Sequence, residues 1–420
     1  MRSKRLSVGL MVLSIITATL AMTSTRAIAQ TEKILHDFND NGDGFSPFAG
    51  LVFDKAGNLY GTTFAGGASG FGTVFELAPN AHGGWNERII HSFSANGVDG
   101  YDPVGNLVLD NAGNLYGTTH YGGLYSGGTV FEFVRQPNGS FTERTLHSFG
   151  HSKDGIFPET GLVFDAQGNI YGATFSGGTF GLGMVFELTP KTGGGWTEKV
   201  LYSFSKYDGS GGGSPYGGVL FDAAGNLYGT ASGLGAGAAG GVFELTPTVS
   251  GLWTLSVLHL FVSNSTDGAT PYAGLVMDGS GNLYGTTWQG GARDIGSVFE
   301  LSPGAGGAWT ETILHSFAGG SDGCYPQYGS LTYSGGNLYG TTTECGTSGG
   351  GIVFEMSPAA GGTWTESVLY TFVAHSSDGV APQGGLFFDV SGNLYGTTEF
   401  GGTGQNGGTG GAGTVFEITP

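Results

Sequence analysis

Gly57-Asn58-Leu59-Tyr60-Gly61-Thr62-Thr63 is a phrase that this chain repeats, and its recurrence decides the fold. The phrase, or a close variant, begins again at Gly113, Gly168, Gly225, Gly281, Gly336 and Gly392, at intervals of 56, 55, 57, 56, 55 and 56 residues. A period this regular marks one supersecondary unit made seven times. Outward from the phrase, each unit reads as four short strands, a to d. Gly161 to Asp165 (GLVFD) exemplifies a, Asn114 to Thr119 (NLYGTT) b, Thr73 to Leu77 (TVFEL) c, and Trp196 to Phe204 (WTEKVLYSF) d. They are rich in Val, Phe, Tyr, Thr and Leu, with Gly, Asn, Asp and Pro between them, the composition of strands and turns. The a-to-b turn, as in Ala223-Ala224-Gly225-Asn226, is tight enough for a hairpin, so neighbouring strands run antiparallel.

Four-stranded units of this length build either a ring of blades or an open stack. The ends of the repeat decide for the ring. A lone d strand, Glu32 to Phe38, precedes the first unit, and the last unit stops after its c strand, Val415 to Ile418. Joined, the two make a seventh complete blade, and neither is left as an exposed edge. Burying Ile34, Leu35 and Phe38 is worth about 1.5–3 kcal/mol each, a large term against a total stability of about 5–15 kcal/mol. The sequence thus predicts an all-β, seven-bladed propeller over residues 30–420, closed by pairing of the N-terminal d strand with the C-terminal c strand.

Residues 1–29 join a basic start (Arg2, Lys4, Arg5), an apolar run from Leu6 to Met22 and the small-residue end Ala27-Ile28-Ala29, which reads as a cleaved secretory signal peptide. The protein is therefore expected in the periplasm or outside the cell, with no membrane insertion. Cleavage removes four of the 14 Lys and Arg and takes the formal charge from -19 to -23. An excess this acidic repels nucleic acid and anionic lipid, so neither is an expected partner. Twenty-nine Phe, 18 Tyr and 6 Trp supply more apolar mass than disordered chains carry. With 85 Gly and 14 Pro, long helices are excluded.

The succession GNLYGTT, GG, GTVFELTP and WTEKVLYSF resembles the GloVer tandem repeat of exported bacterial proteins, over essentially all of residues 31–420. More distantly, the order of a hydrophobic strand, an LYG strand, a GG pair and a Trp-led strand is similar to kelch propeller blades. The resemblance implies a fold and no particular chemistry.

Residues that recur in every unit cannot all serve one asymmetric site, so they read first as scaffold. The Glu of each VFE (Glu76, Glu132, Glu187, Glu244, Glu300, Glu355, Glu417) is expected to accept hydrogen bonds from a neighbouring turn or blade. The Asp of each d-to-a loop (Asp43, Asp99, Asp154, Asp208, Asp267, Asp322, Asp378) reads as a turn cap. Asn39 to Gly44 comes nearest to a calcium loop but lacks its closing Glu, since position 50 is Gly. His36, His91, His147, His259 and His315 share one place in strand d, where Tyr202 and Tyr370 stand in two other units, and this reads as ring packing rather than metal ligation. Gly346 to Gly350 fits GxSxG and Gly235 to Gly240 fits GxGxxG, but each runs into a strand where its chemistry needs a helix. No catalytic set, metal or cofactor is expected from these motifs.

What differs between units lies on the face bearing the b-to-c and d-to-a loops, and loops on a rigid scaffold carry recognition. After strand b the chain offers Phe64, His120 with Tyr121, Phe175, Trp288, and Glu399 with Phe400; the d-to-a loops add Tyr101, Phe157, Tyr216, Tyr272 and Tyr325. Flat rings with Asp102, Glu159, Arg293, Asp294, Glu344 and Glu399 nearby suit a glycan or a protein loop. The function expected is a non-enzymatic, monomeric binding module. Its rivals are a carbohydrate-active enzyme, with Glu344 and Glu399 as acid and base on adjacent blades, and a purely structural envelope protein. Cys324 before strand a and Cys345 after strand b meet at one end of a hairpin, and in an exported protein they are expected to form a disulfide.

Overall fold

The computed structural model describes residues 31–39, 42–206, 212–235, 239–264, 266–403 and 411–419; the leader read at 1–29 lies outside them, as does Asp208. Seven four-stranded antiparallel sheets, each ordered a-b-c-d, form the ring. In the first blade a is Val52–Phe53, b Leu59–Thr63, c Thr73–Pro79 and d Trp85–Ser92. Five more blades follow in sequence order, with d strands Phe141–Ser148, Trp196–Ser203, Trp253–Leu260, Trp309–Ser316 and Trp364–Val373. The seventh takes a, b and c from Phe387–Phe388, Leu394–Gly401 and Thr414–Thr419, and d from Thr31–Asp37. Among the described residues the helical segments are two single 3-10 turns, Ala305–Gly307 and Gly320–Asp322.

The closure has the register of an internal blade. Ile34 pairs with Phe416 and His36 with Val415, leaving Leu35 as a bulge. In the first blade Ile89 pairs with Phe75 and His91 with Val74, leaving Ile90 in the same place. One extra residue per d strand increases the local twist, which splays the outer edge of a blade from its neighbour. The seam core is equally ordinary: Phe38, Tyr395 and Val415 of the seventh blade pack with Leu51, Leu59, Phe75 and Leu77 of the first.

Strand b is buried on both faces because it stands between two blades. Its glycine is a packing requirement: a Cβ on Gly61 would lie 2.5 Å from the Phe75 ring and 2.9 Å from Leu51. The FDxxGN turn before it holds itself. Asp54 Oδ1 accepts from the amides of Ala56 at 2.8 Å and Asn58 at 3.0 Å, and Oδ2 accepts from the Asn58 side chain at 2.9 Å. Burial works to raise the Asp54 carboxyl, but these bonds and one from Arg135 outweigh it and hold it below its ordinary value.

The recurrent Glu does accept hydrogen bonds, from a donor the sequence reading did not name. The Tyr60 hydroxyl lies 2.9 Å from Glu76 Oε1 and 3.1 Å from Asp54 Oδ2, so one phenol links turn to strand c within its own blade. The recurrent His does pack its ring, as His91 does edge-on to Phe93 at 4.8 Å. It also meets carboxylates: His91 Nε2 lies 3.2 Å from Asp99 and 3.3 Å from Glu143, which belongs to strand d of the next blade.

Candidate ligand site at the axial mouth

Each d-to-a loop is laddered to the b-to-c loop of its own unit, as Gly100–Tyr101 is to Tyr121–Gly122 and Gly155–Ile156 to Ser176–Gly177. The loop face is therefore a continuation of the blades. In the sixth unit Cys324 bridges to Glu344, and the expected disulfide from Cys324 to Cys345 ties the same two loops, with a Cα–Cα distance of 5.5 Å.

Every d-to-a loop carries a proline, and in six of the seven the residue after it lines the axial cavity. These residues are Phe48, Val104, Glu159, Tyr216, Tyr272, Gln327 and Gln383. In the sixth loop five residues, Pro326 to Ser330, precede the strand-a Leu331 where four do in the others, and the extra length delivers Tyr328 to the axis instead of Gln327. There Tyr328 reaches rings from three other blades: Tyr216 at 5.1 Å, Tyr272 at 5.7 Å and Phe48 at 6.5 Å. Below this belt the inner strands enclose a cavity of about 830 Å³, within the range of small-molecule sites. None of the described residues lining it is Lys or Arg.

One carboxylate, Glu159, lines the cavity, and a second, Glu399, meets it through the lining residue Gln383. Glu159 is buried, pairs through Oε1 with His120 Nδ1, and leaves Oε2 buried without a partner among the described residues. The His120 ring is fixed by stacking on Phe157, centroids 4.6 Å apart and planes 11° apart. Glu399 pairs with the Gln383 amide, and burial pushes its carboxyl up to about 7. Gln383 Oε1 is a second buried atom without a partner among the described residues. Burial likewise raises Asp102 to about 6, with His120 pulling the other way. Burial, reinforced by the charge of Glu159, raises the phenols of Tyr216 and Tyr272 above the ordinary tyrosine value.

Of the residues singled out from sequence, Phe64 and His120 line the cavity. Phe175 and Trp288 stand behind the belt, 5.8 Å from Tyr216 and 5.7 Å from Tyr272. Tyr121 sits on the rim between Tyr101 and Phe157. Arg293, Glu344 and Phe400 are exposed and form no part of the cavity wall. The sequence reading passed over Phe48, Val104, Tyr328 and Gln383; the signal for three of them was the position after the loop proline, and for Tyr328 the one-residue insertion.

The extracellular domain of a hybrid two-component system from B. thetaiotaomicron is similar in structure, 14% identical with a TM-score of 0.54 over 93% of this chain and 42% of that one. An ancestral GH74 enzyme is 11% identical with a TM-score of 0.53, over 90% of this chain and 51% of that one. At such identities the likeness is one of fold, and the chain spans about half or less of either protein. No curated protein matches it. The pattern of the Gloeobacter/Verrucomicrobia repeat matches residues 20–219 and 197–409, nearly the whole of the described ring, and the chain belongs to that repeat family.

Proposed function

We propose that this protein is an exported binding module that takes a neutral glycan at the axial mouth of the propeller. The carrying observation is the half-buried belt of Phe48, Tyr216, Tyr272 and Tyr328 beside two buried acceptors, Glu159 Oε2 and Gln383 Oε1, that no described residue satisfies. A leftover acceptor in a buried site is costly until a ligand hydroxyl supplies its proton, and sugar faces stack on aromatic rings. A mouth with carboxylates and no Lys or Arg among its described lining residues disfavours anionic ligands. The disulfide supports export, since such bonds persist in oxidising compartments. Screening the full chain on a glycan array and titrating the best hit by calorimetry tests the reading. Tyr272→Ala and Glu159→Gln should each weaken binding by roughly tenfold, about 1.4 kcal/mol; an empty array, or an affinity that ignores both changes, overturns it.

One observation favours a second reading, a glycan-cleaving enzyme. A carboxyl at about 7, like that of Glu399, can donate a proton near neutral pH, while Glu159 faces the same mouth. Product formation from the bound glycan, lost in Glu399→Gln with binding retained, would select this reading.

A further inference from the structure

Five of the seven blade junctions share one arrangement on their outer strands. A His on strand d meets the Asp of its own d-to-a loop and a Glu on strand d of the next blade, as His91, Asp99 and Glu143 do. Between the third and fourth blades Tyr202 and Leu255 stand in the His and Glu places, and between the sixth and seventh Tyr370 replaces the His while Glu32 remains. The junction between the seventh and first blades, where the ring is closed, carries His36, Asp43 and Glu87.

That junction departs from its sisters in one respect. His147 Nε2 lies 2.9 Å from Asp154 and His91 Nε2 lies 3.2 Å from Asp99, both ordinary hydrogen bonds. His36 Nε2 lies 3.5 Å from Asp43 Oδ2 and 3.6 Å from Glu87 Oε1, too far for either. Both His36 Nε2 and Glu87 Oε1 are buried with no hydrogen-bond partner among the described residues. All three groups nevertheless present one ligand atom within 4.8 Å of the others, as do His91, Asp99 and Glu143 and His259, Asp267 and Glu311, where the His is already hydrogen-bonded to its Asp.

We propose that His36, Asp43 and Glu87 form a binding site for a first-row divalent cation of the zinc class, which pins the closing strand to the first blade. Zinc bonds to imidazole and carboxylate of about 2.1 Å subtend donor separations of about 3.4 Å in a tetrahedron, matching the two spacings that suit no hydrogen bond. One imidazole and two carboxylates are a borderline donor set, which favours such an ion over calcium, whose sites take six or more oxygens. The side chains are 18%, 11% and 19% exposed, so a water can complete the shell. Edge-on packing of His36 against Phe38 at 4.6 Å fixes the ring plane.

The test uses the full chain, stripped with EDTA, desalted, and titrated with zinc chloride while bound metal and melting temperature are measured. Wild type should retain zinc and melt at a higher temperature with it. Glu87→Gln should lose one equivalent of zinc and the shift, whereas Glu143→Gln at the sister junction should keep both. His36→Gln repeats the measurement at a second ligand if Glu87→Gln does not fold. No retained zinc in wild type, or equal uptake by wild type and Glu87→Gln, overturns the proposal.

Discussion

Replacing Phe38 by Ala tests whether the ring depends on its N-terminal strand. Phe38 is fully buried, donates its amide to Gly413 O at 3.0 Å, and packs edge-on against Phe75 across the seam at 5.2 Å. Truncating such a side chain costs about 3–5 kcal/mol, transfer and cavity together. Phe204→Ala is the matched control, since Phe204 is equally buried and meets Phe243 of the next blade at 5.2 Å. If the ring unfolds as one unit, guanidinium unfolding will show similar losses for both. Local opening separates them. The strand Thr31–Asp37 can leave the ring without dragging another strand, so the amides of Thr414–Thr419 that face it should exchange by local opening. A loss of about 3 kcal/mol accelerates that exchange roughly 100-fold in Phe38→Ala, whereas in Phe204→Ala those amides should follow global unfolding. Unchanged protection at Thr414–Thr419 in Phe38→Ala would refute the reasoning.

Two further outcomes are expected. Replacing both Cys324 and Cys345 by Ser opens a loop with a sequence separation of 21 residues and should cost roughly 3 kcal/mol in the chain-entropy account, read as a lower unfolding midpoint that reductant no longer changes; an unaltered midpoint counts against it. Stability should fall as pH rises from 5 to 8. Burial, reinforced by Asp322 and opposed by His315, raises Glu366 from 4.5 to about 7, and burial with the charge of Asp267 does the same to Glu311. A carboxyl raised in the folded state contributes stability fully present below pH 4.5 and lost as pH passes through about 7. Both groups are partly solvated, so after screening the loss is on the order of 1 kcal/mol each. Glu366→Gln should flatten the profile, and a midpoint that climbs between pH 5 and 8 would contradict the assignment.

The repeat period, the strand order and the closure were legible because each rests on local pattern. GNLYGTT carries its own turn, its buried Tyr and the glycine that admits Phe75, so seven copies announce seven blades. The disulfide was legible because two hairpin ends must meet. The clasp at five of the junctions was not: Glu143 meets His91 from 52 positions along the chain, and His91 by itself looks like ring packing. The mouth was half legible. Phe64 and His120 stood out as departures from the repeat, but which side chains turn to the axis depends on the loop proline and, at Tyr328, on a single inserted residue.

That insertion bears on how a repeat acquires a function. Seven identical loops would present seven equivalent side chains around an axis, and no small asymmetric ligand could use more than a few of them. Here the equivalent positions hold Phe48, Val104, Glu159, Tyr216, Tyr272 and Gln383, and the sixth loop throws Tyr328 across to three other blades. The scaffold beneath absorbs the change: strands b and c of the sixth blade keep the register of the rest, and its a-to-b turn is one residue shorter. Selection on recognition can therefore act on the residue after each proline without disturbing the Gly–Phe packing and Tyr–Glu bonds that hold the blades. The covalent tie between Cys324 and Cys345 joins the chain on either side of that insertion and fixes the two loops of the sixth unit to each other.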